Sequence, residues 1–338
     1  MSPKRIVVAL SLLSASLSLV ALSAVSEPVV AQEAMTVKIA TVAPEGTPWE
    51  KQLRRLKDHI EKGSAGRLRV KMFMGGSLGG EKALVRRTQQ GNIQIFGGST
   101  AALGTMVPEL DVIEAPYLFE TTAQADHALD GPVRQQILPM LTKRGFVFGL
   151  WAENGFRSWY TKERAIRTPA DMRGLRMRSQ ESFAHLETYR AFGASPVPID
   201  VTNVLTSLQT GVVDGFDNTP LFTFATSWYQ GAHHLTLSEH IYQPGIVVYS
   251  KSWFDALPAD IQQVLQTIPP DITTSGRQQV RAMDPILLRN LERQGITIIR
   301  PTPAERAAFA TVARGVPDRI AAKAGPGGRA LLRALRQH

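Results

Sequence analysis

Three stretches of the chain carry residue types and spacings suited to chemistry. The first is Gly75-Gly76-Ser77-Leu78-Gly79, which fits G-x-S-x-G between a predicted strand and a predicted helix. A strained turn in that setting exposes a serine as nucleophile, and a triad then needs a later acid and a later histidine. Asp214 and His240 stand in that order, which gives a serine-hydrolase reading centred on Ser77. The plainer reading is a flexible turn whose glycines supply backbone freedom. The same glycines make no phosphate loop, because Glu81 follows Gly80 where Lys and Ser or Thr would be needed.

The second stretch is the only histidine cluster, His233, His234 and His240. Neighbouring histidines on a strand point to opposite sides, and no carboxylate sits at a recognised ligand spacing, so a surface or loop role is expected and no metal. The third is the richest. Asn154-Gly155-Phe156-Arg157 follows a predicted strand. In Gly174-Leu175-Arg176-Met177-Arg178 the alternation puts both arginines on one face, with no acid close in sequence to pair either. Asp214-Gly215-Phe216-Asp217-Asn218 closes another strand with polar groups at its carboxyl end. Ligands of open α/β sheets gather outside the carboxyl ends of strands. A guanidinium there presents a planar fork of donors that matches a carboxylate. The competing fate of each arginine is a surface ion pair.

Composition narrows the classes. The chain has 338 residues, 43% hydrophobic and 20% charged, which is globular composition with length for two domains. It has no cysteine, which removes thiolate zinc sites, iron–sulfur ligation, disulfides and cysteine nucleophiles together. The formal charge is +9. Arg54, Arg55 and Lys57 fall on a predicted helix, and Arg329, Arg333 and Arg336 lie near the end. No helix-turn-helix, zinc-finger or aromatic RNA-binding signature accompanies them, so they read as solvated faces and no nucleic-acid partner is expected. No cofactor motif is present.

The amino terminus reads as a signal peptide over residues 1–31. Lys4 and Arg5 precede the uncharged run from Ile6 to Ser26, and Val29-Val30-Ala31 supplies small residues before Gln32. The run approaches the roughly 20 residues of a membrane span, but its serines and alanines favour cleavage over anchoring. The mature chain is then free in its compartment and spans no membrane. With this export signal the Ser77 alternative becomes a secreted serine hydrolase.

Strand and helix patterns alternate behind the leader. Val37–Val42 is an apolar strand. Thr47-Pro48-Trp49-Glu50 opens a helix with a capping box, and Trp49, Leu53, Leu56 and Ile60 repeat at helical spacing. Residues 68–74 alternate at strand period. Further helices are expected near 80–90 and 121–144, with strands at 92–96, 146–151, 175–178, 212–216, 246–249 and 296–299. That order implies α/β architecture with a largely parallel sheet.

The third stretch also resembles a known family. Gly174-Leu175-Arg176-Met177-Arg178, then Phe192-Gly193-Ala194-Ser195-Pro196-Val197-Pro198, then Ser207-Leu208-Gln209-Thr210-Gly211-Val212-Val213-Asp214-Gly215 and Asp217-Asn218 resemble DctP-type solute-binding proteins of TRAP transporters. Gly76-Ser77-Leu78-Gly79-Gly80-Glu81, Ala115-Pro116-Tyr117-Leu118-Phe119 and Leu257-Pro258-Ala259-Asp260 match as well, over about residues 36–320. The resemblance implies a two-domain periplasmic clamp without catalytic activity. Domain I would hold 36–155 and 244–283, domain II 156–243 and 284–320, with 321–338 a tail. It implies an organic acid in the cleft and membrane permease subunits as partners. It places the carboxylate-binding arginine at Arg178, a second at Arg157, a cleft asparagine at Asn218 and a ligand contact at Ser99. Phe216, Trp228, Tyr242 and the loop acid Glu45 are candidate liners. One departure is Pro269-Pro270, which cannot lie inside a regular helix and predicts a break and restart near Asp271. The Gly325-Pro326-Gly327-Gly328 tail is expected to be loose.

Overall fold

The computed structural model describes residues 33–337, so the expected signal peptide lies outside the described residues. One mixed sheet organises the rest. Its strands are β1 (Met35–Ala40), β2 (Leu68–Phe73), β3 (Ile95–Ser99), β4 (Phe146–Thr161), β5 (Arg176–Ser179), β6 (Ser195–Pro198), β7 (Gly215–Asn218), β8 (His234–Ser250) and β9 (Thr297–Ile299). They lie in the order β2-β1-β3-β8-β4-β7-β5-β6, with β9 beside β8. The expected largely parallel sheet is corrected to a mixed one. β1, β2 and β3 pair in parallel, as do β5, β6 and β7, but β4 and β8 run antiparallel to each other and to their other neighbours in the main order.

These two long strands tie the ends of the molecule together. The first half of β4 pairs with the last residues of β8, which also hold β3. The second half of β4 pairs with the start of β8 and with β7. The register shifts between Glu153 and Gly155 and again between Arg157 and Trp159. Such irregularities bend a strand and re-aim its side chains, and here they bracket Arg157. Sequence reading saw only pieces of both strands, because Asn154-Gly155 and Pro244-Gly245 interrupt the strand signal.

Helices cover the sheet. The helix Pro48–Gly63 buries Trp49, Leu53, Leu56 and Ile60 on one face, as the spacing predicts. Its expected capping box is not formed: Thr47 caps nothing, and Glu50 Oε2 accepts from Gly46 N at 2.6 Å instead. The helix Ala259–Gln266 stops before the diproline, and a 24-residue helix restarts with Pro270 in its first turn and runs to Arg293. The expected helix near 121–144 is split at Gly131-Pro132, where Gly131 leaves helical geometry. Among the described residues no helix is long and apolar enough to cross a membrane.

The loose tail is also corrected. Gly325 takes φ +82° and kinks a helix spanning Val316–Leu335, and the chain beyond it turns back onto the core. Leu331, Leu332 and Leu335 are buried there. Glycine at the kink frees the turn, and the apolar spacing after it does the docking. Leu335→Ala is therefore expected to lower stability by about 2 kcal/mol, the low end of the range because the last turn of a helix relaxes into the space. A urea titration reads this, and an unchanged midpoint would show that the last turn does not dock.

Candidate ligand-binding cleft

Ser99 ends β3, Arg178 lies one residue from the end of β5, and Asn218 ends β7. These carboxyl ends converge beside the irregular crossing of β4 and β8. The resulting cleft is lined by Thr41, Val42, Trp49, Glu81, Ser99, Asn154, Arg157, Arg178, Gln180, Val201, Asn218, Phe222, Trp228 and Gln243.

Arg178 is 3% exposed. Its Nε donates to Ile199 O at 3.0 Å, and its guanidinium lies over the Trp228 ring, 5.1 Å from the centroid. Among the described residues Nη1 and Nη2 have no protein partner, and no acid forms an ion pair with the group. Burial, with Arg157 adding repulsion, pulls its pKa down to about 10, so the group is still cationic at neutral pH. A buried cation with no ion-pair partner among the described residues and two free N–H corners is a site poised for an anion.

Arg157 is placed differently. Its Nε donates to Asp217 Oδ2 at 2.6 Å, Nη1 to Asn218 Oδ1 at 3.2 Å and Gln243 Oε1 at 2.8 Å, and Nη2 to Asp217 O at 2.5 Å. Four of its five N–H donors are thus taken and its charge is matched. It borders the cleft and can offer a ligand one N–H. Asn218 Oδ1 is held by Arg157 and by Thr219 N at 2.8 Å, which leaves its Nδ2 without a partner among the described residues, on a side chain that lines the cleft.

A buried polar floor lies beneath. His185 Nε2 and Glu114 Oε2 are 2.7 Å apart, and Gln243 Nε2 donates to the same oxygen at 2.6 Å. His185 Nδ1 and His240 Nε2 stand 3.7 and 3.6 Å from Asp217 Oδ2. Burial disfavours a charged His185, but Asp217 and Glu114 outweigh it and raise its pKa. Burial likewise opposes an ionised Asp217, but Arg157 and the histidines hold its carboxyl well below the usual range. Sequence reading missed Glu114 and His185. The one available signal was a lone carboxylate inside the apolar run Val112-Ile113-Glu114-Ala115.

Ser99 reaches the wall, but its groups are engaged. Its N and Oγ donate to Glu81 Oε1 and Oε2 at 2.8 and 2.9 Å, and Oγ accepts from Ala102 N at 3.1 Å. Glu81, which closes the glycine turn, is thereby fixed on the cleft wall, with its carboxyl pKa pushed up by burial. Sequence reading did not single it out as a site residue, nor Gln180 or Gln243.

Trp228 lies on the wall, beneath Arg178. Phe216 does not: it is fully buried, stacked on Tyr160 at 4.7 Å and edge-on to Trp228 at 5.4 Å, so it supports the wall from behind. Tyr242 is also core, packed edge-on against Phe119 and Phe156. Glu45 is exposed on the loop before the first helix and does not line the cleft. Expectation fails at these three because residue type tells aromatic or acidic character but not which side of the wall the backbone leaves a side chain on.

The hydrolase reading is overturned by the same geometry. Ser77 is exposed, Asp214 pairs with Arg176 outside the cleft, and His240 is buried against Ser238 Oγ at 2.8 Å and stacked on Trp159 at 4.4 Å. The expected surface role of His240 is corrected with it. No cluster of metal-ligating residues occurs among the described residues.

The comparisons with known proteins agree on one family. The model described as bacterial extracellular solute-binding protein, family 7, matches residues 39–324. A solute-binding protein of Verminephrobacter eiseniae is 34% identical over 240 residues, covering 71% of this chain and 72% of that one. The C4-dicarboxylate-binding periplasmic protein DctP of Rhodobacter capsulatus is 28% identical over 304 residues, 89% of this chain and 91% of that one. The crystal structure of the sugar acid binding protein DctPAm from Advenella mimigardefordensis in complex with galactonate superposes with a TM-score of 0.84 at 26% identity, covering 90% of this chain and 98% of that one. This chain belongs to the DctP family of bacterial extracellular solute-binding proteins.

Proposed function

We propose that the chain is a periplasmic receptor that captures a small organic acid on Arg178 and delivers it to the membrane permease subunits of a TRAP-type transporter. The observation that carries this reading is the buried Arg178 guanidinium, which among the described residues is unpaired by any acid and open at both terminal nitrogens. A bidentate carboxylate fits that fork. Each charge-assisted hydrogen bond contributes about 1.5–3 kcal/mol net. Micromolar affinity needs about 8 kcal/mol, so Arg178, Asn218 Nδ2 and apolar contact with Trp228 suffice. The protein is a solute-binding protein, not an enzyme, in line with its family.

In this reading residues 36–155 with 244–283 make one lobe and 156–243 with 284–320 the other; two of the chain crossings lie at the irregular pairing of β4 and β8, and the third lies within the helix Pro270–Arg293. The facing lips already touch. Lys82 Nζ and Glu181 Oε1 are 2.9 Å apart, and a Cβ on Gly80 would lie 1.8 Å from Asp200 Oδ2. Asp200 is not free to yield, since its Oδ1 holds Thr202 N at 3.0 Å and Thr202 Oγ1 at 2.8 Å. A ligand touching both lobes shifts the hinge only by its differential affinity for the closed form. Gly80→Ala, whose backbone geometry any residue adopts, is therefore expected to obstruct closure and weaken ligand binding about tenfold, with the unfolding midpoint unchanged. Unchanged affinity in that variant would place the closing contact elsewhere.

The function itself is tested by a thermal-shift screen of the mature protein against organic acids. A true ligand at a hundredfold excess over its Kd adds about 2.7 kcal/mol of stability. No shift with any acid would overturn the reading.

A further inference from the structure

We propose that the ligand is a hydroxylated monocarboxylate rather than a dicarboxylate, and that Glu81 is the wall residue that selects it by accepting a ligand hydroxyl. This rests on the receptor reading with Arg178 as the carboxylate anchor. Members of the family are named for both kinds of acid, so the choice lies in this chain's own wall.

The first observation is a charge count. Two guanidinium groups border the cleft, and among the described residues Arg178 has no ion-pair partner, whereas Arg157 spends its charge on Asp217 and four of its N–H donors on protein. Lys82 is engaged by Glu181. One open cation meets one ligand carboxylate.

The second is the carboxylate of Glu81 on the same wall. It accepts from Ser99 N, Ser99 Oγ and Gln180 Nε2 at 2.8, 2.9 and 3.2 Å, all neutral donors, and it forms no ion pair among the described residues. A carboxylate has about four acceptor positions, so one remains. Gly98 packs so closely that a Cβ there would lie 2.6 Å from Glu81 Oε1, which keeps the side chain where it is. A second ligand carboxylate brought here would meet the Glu81 carboxylate, and like charges at a largely buried wall repel more strongly than in bulk water. A hydroxyl instead donates to the spare position. Thr41 adds a hydroxyl to the same lining: its Oγ1 accepts from Ala43 N at 3.1 Å, and its O–H, without an acceptor among the described residues, can donate to a ligand hydroxyl. Arg178 and Asn218 as donors, with the Glu81 acceptor in the same lining, match a carboxylate followed by hydroxyls.

The experiment is calorimetric titration of the mature protein and Glu81→Gln with erythronate, succinate and butyrate, which hold carbon number fixed, and with gluconate, adipate and hexanoate as a longer set. In the wild type the hydroxylated acid of the preferred length binds at least about tenfold tighter than either partner, the discrimination of one hydrogen bond to a charged group. Glu81→Gln weakens the hydroxylated acid by about tenfold, leaves the plain monocarboxylate unchanged and binds the dicarboxylate as well as wild type or better. A merely structural role for Glu81 would instead weaken all three acids together, and that result overturns the assignment. Tighter binding of the dicarboxylate by the wild type overturns the ligand class and leaves the receptor reading intact. Binding of neither set, nor of any acid in the thermal screen, overturns both.

Discussion

Asp217→Ala is expected to cost about 3–5 kcal/mol of folding stability, the range for removing one partner of a buried ion pair. Asp217 is fully buried and accepts from Arg157 Nε at 2.6 Å and from Tyr189 Oη at 2.7 Å. Its removal strands a guanidinium at 1% exposure, with only neutral oxygens beside it. The loss carries a pH signature. The Asp217 pKa is depressed in the folded state, so its contribution is full above the unfolded value of about 3.9 and fades as pH falls toward the folded one. The gap between wild type and variant is therefore constant at neutral pH and narrows below about pH 4. His185 acts in the opposite sense: its raised pKa contributes stability below about 6.5 that is lost as pH rises through the folded value. Urea unfolding across pH reads both. An unchanged midpoint for Asp217→Ala at neutral pH would mean that Arg157 is compensated by something else.

Arg178→Met is expected to divide binding from stability. Without its fork the ligand carboxylate enters a buried site unpaired, which costs about 2–5 kcal/mol of affinity. That corresponds to a loss from about 30-fold to several thousandfold. The ligand-free protein should not suffer. Arg178 is a buried cation whose pKa is already pulled down by desolvation and by Arg157, and it gives up only one hydrogen bond, to Ile199 O. An apolar group of similar length avoids the cost of keeping an unpaired charge buried, and a methionine is long and flexible enough to fill the space over Trp228. The unfolding midpoint without ligand should equal or exceed that of the wild type, while ligand-induced stabilisation disappears. Arg178→Lys should also weaken binding, since a point charge replaces a bidentate fork. A variant that lost stability and kept affinity would reverse the role assigned to this residue.

Comparison of these two arginines shows what was legible in the sequence. Alternation placed Arg176 and Arg178 on one face, yet Arg176 is exposed and tied to Asp214, whereas Arg178 is buried in the cleft. The difference is position along β5: Arg176 opens the strand and Arg178 lies near its carboxyl end. Arg178 and Asn218 were legible because motif and strand-end position coincide. The neutralisation of Arg157 was not, because its partner lies 60 residues away and local spacing carries no record of it. The helical face of Trp49, Leu53, Leu56 and Ile60 and the restart at Pro270 were legible from periodicity and proline chemistry alone. The long antiparallel β4 and β8 were not, since Gly155 and Pro244-Gly245 read as breaks when the strands in fact bend and continue. The docked tail was hidden for a related reason: a Gly-Pro-Gly-Gly run marks a turn but does not say that Leu331, Leu332 and Leu335 return to the core.

The most direct measurement is a crystal structure of the mature protein with a bound acid from the screen. The account predicts the ligand carboxylate on Nη1 and Nη2 of Arg178, at about 2.7–2.9 Å, over the Trp228 face and with Asn218 Nδ2 as a further donor. A carboxylate seated elsewhere, with the Arg178 fork still empty or turned onto a protein acid, would contradict it.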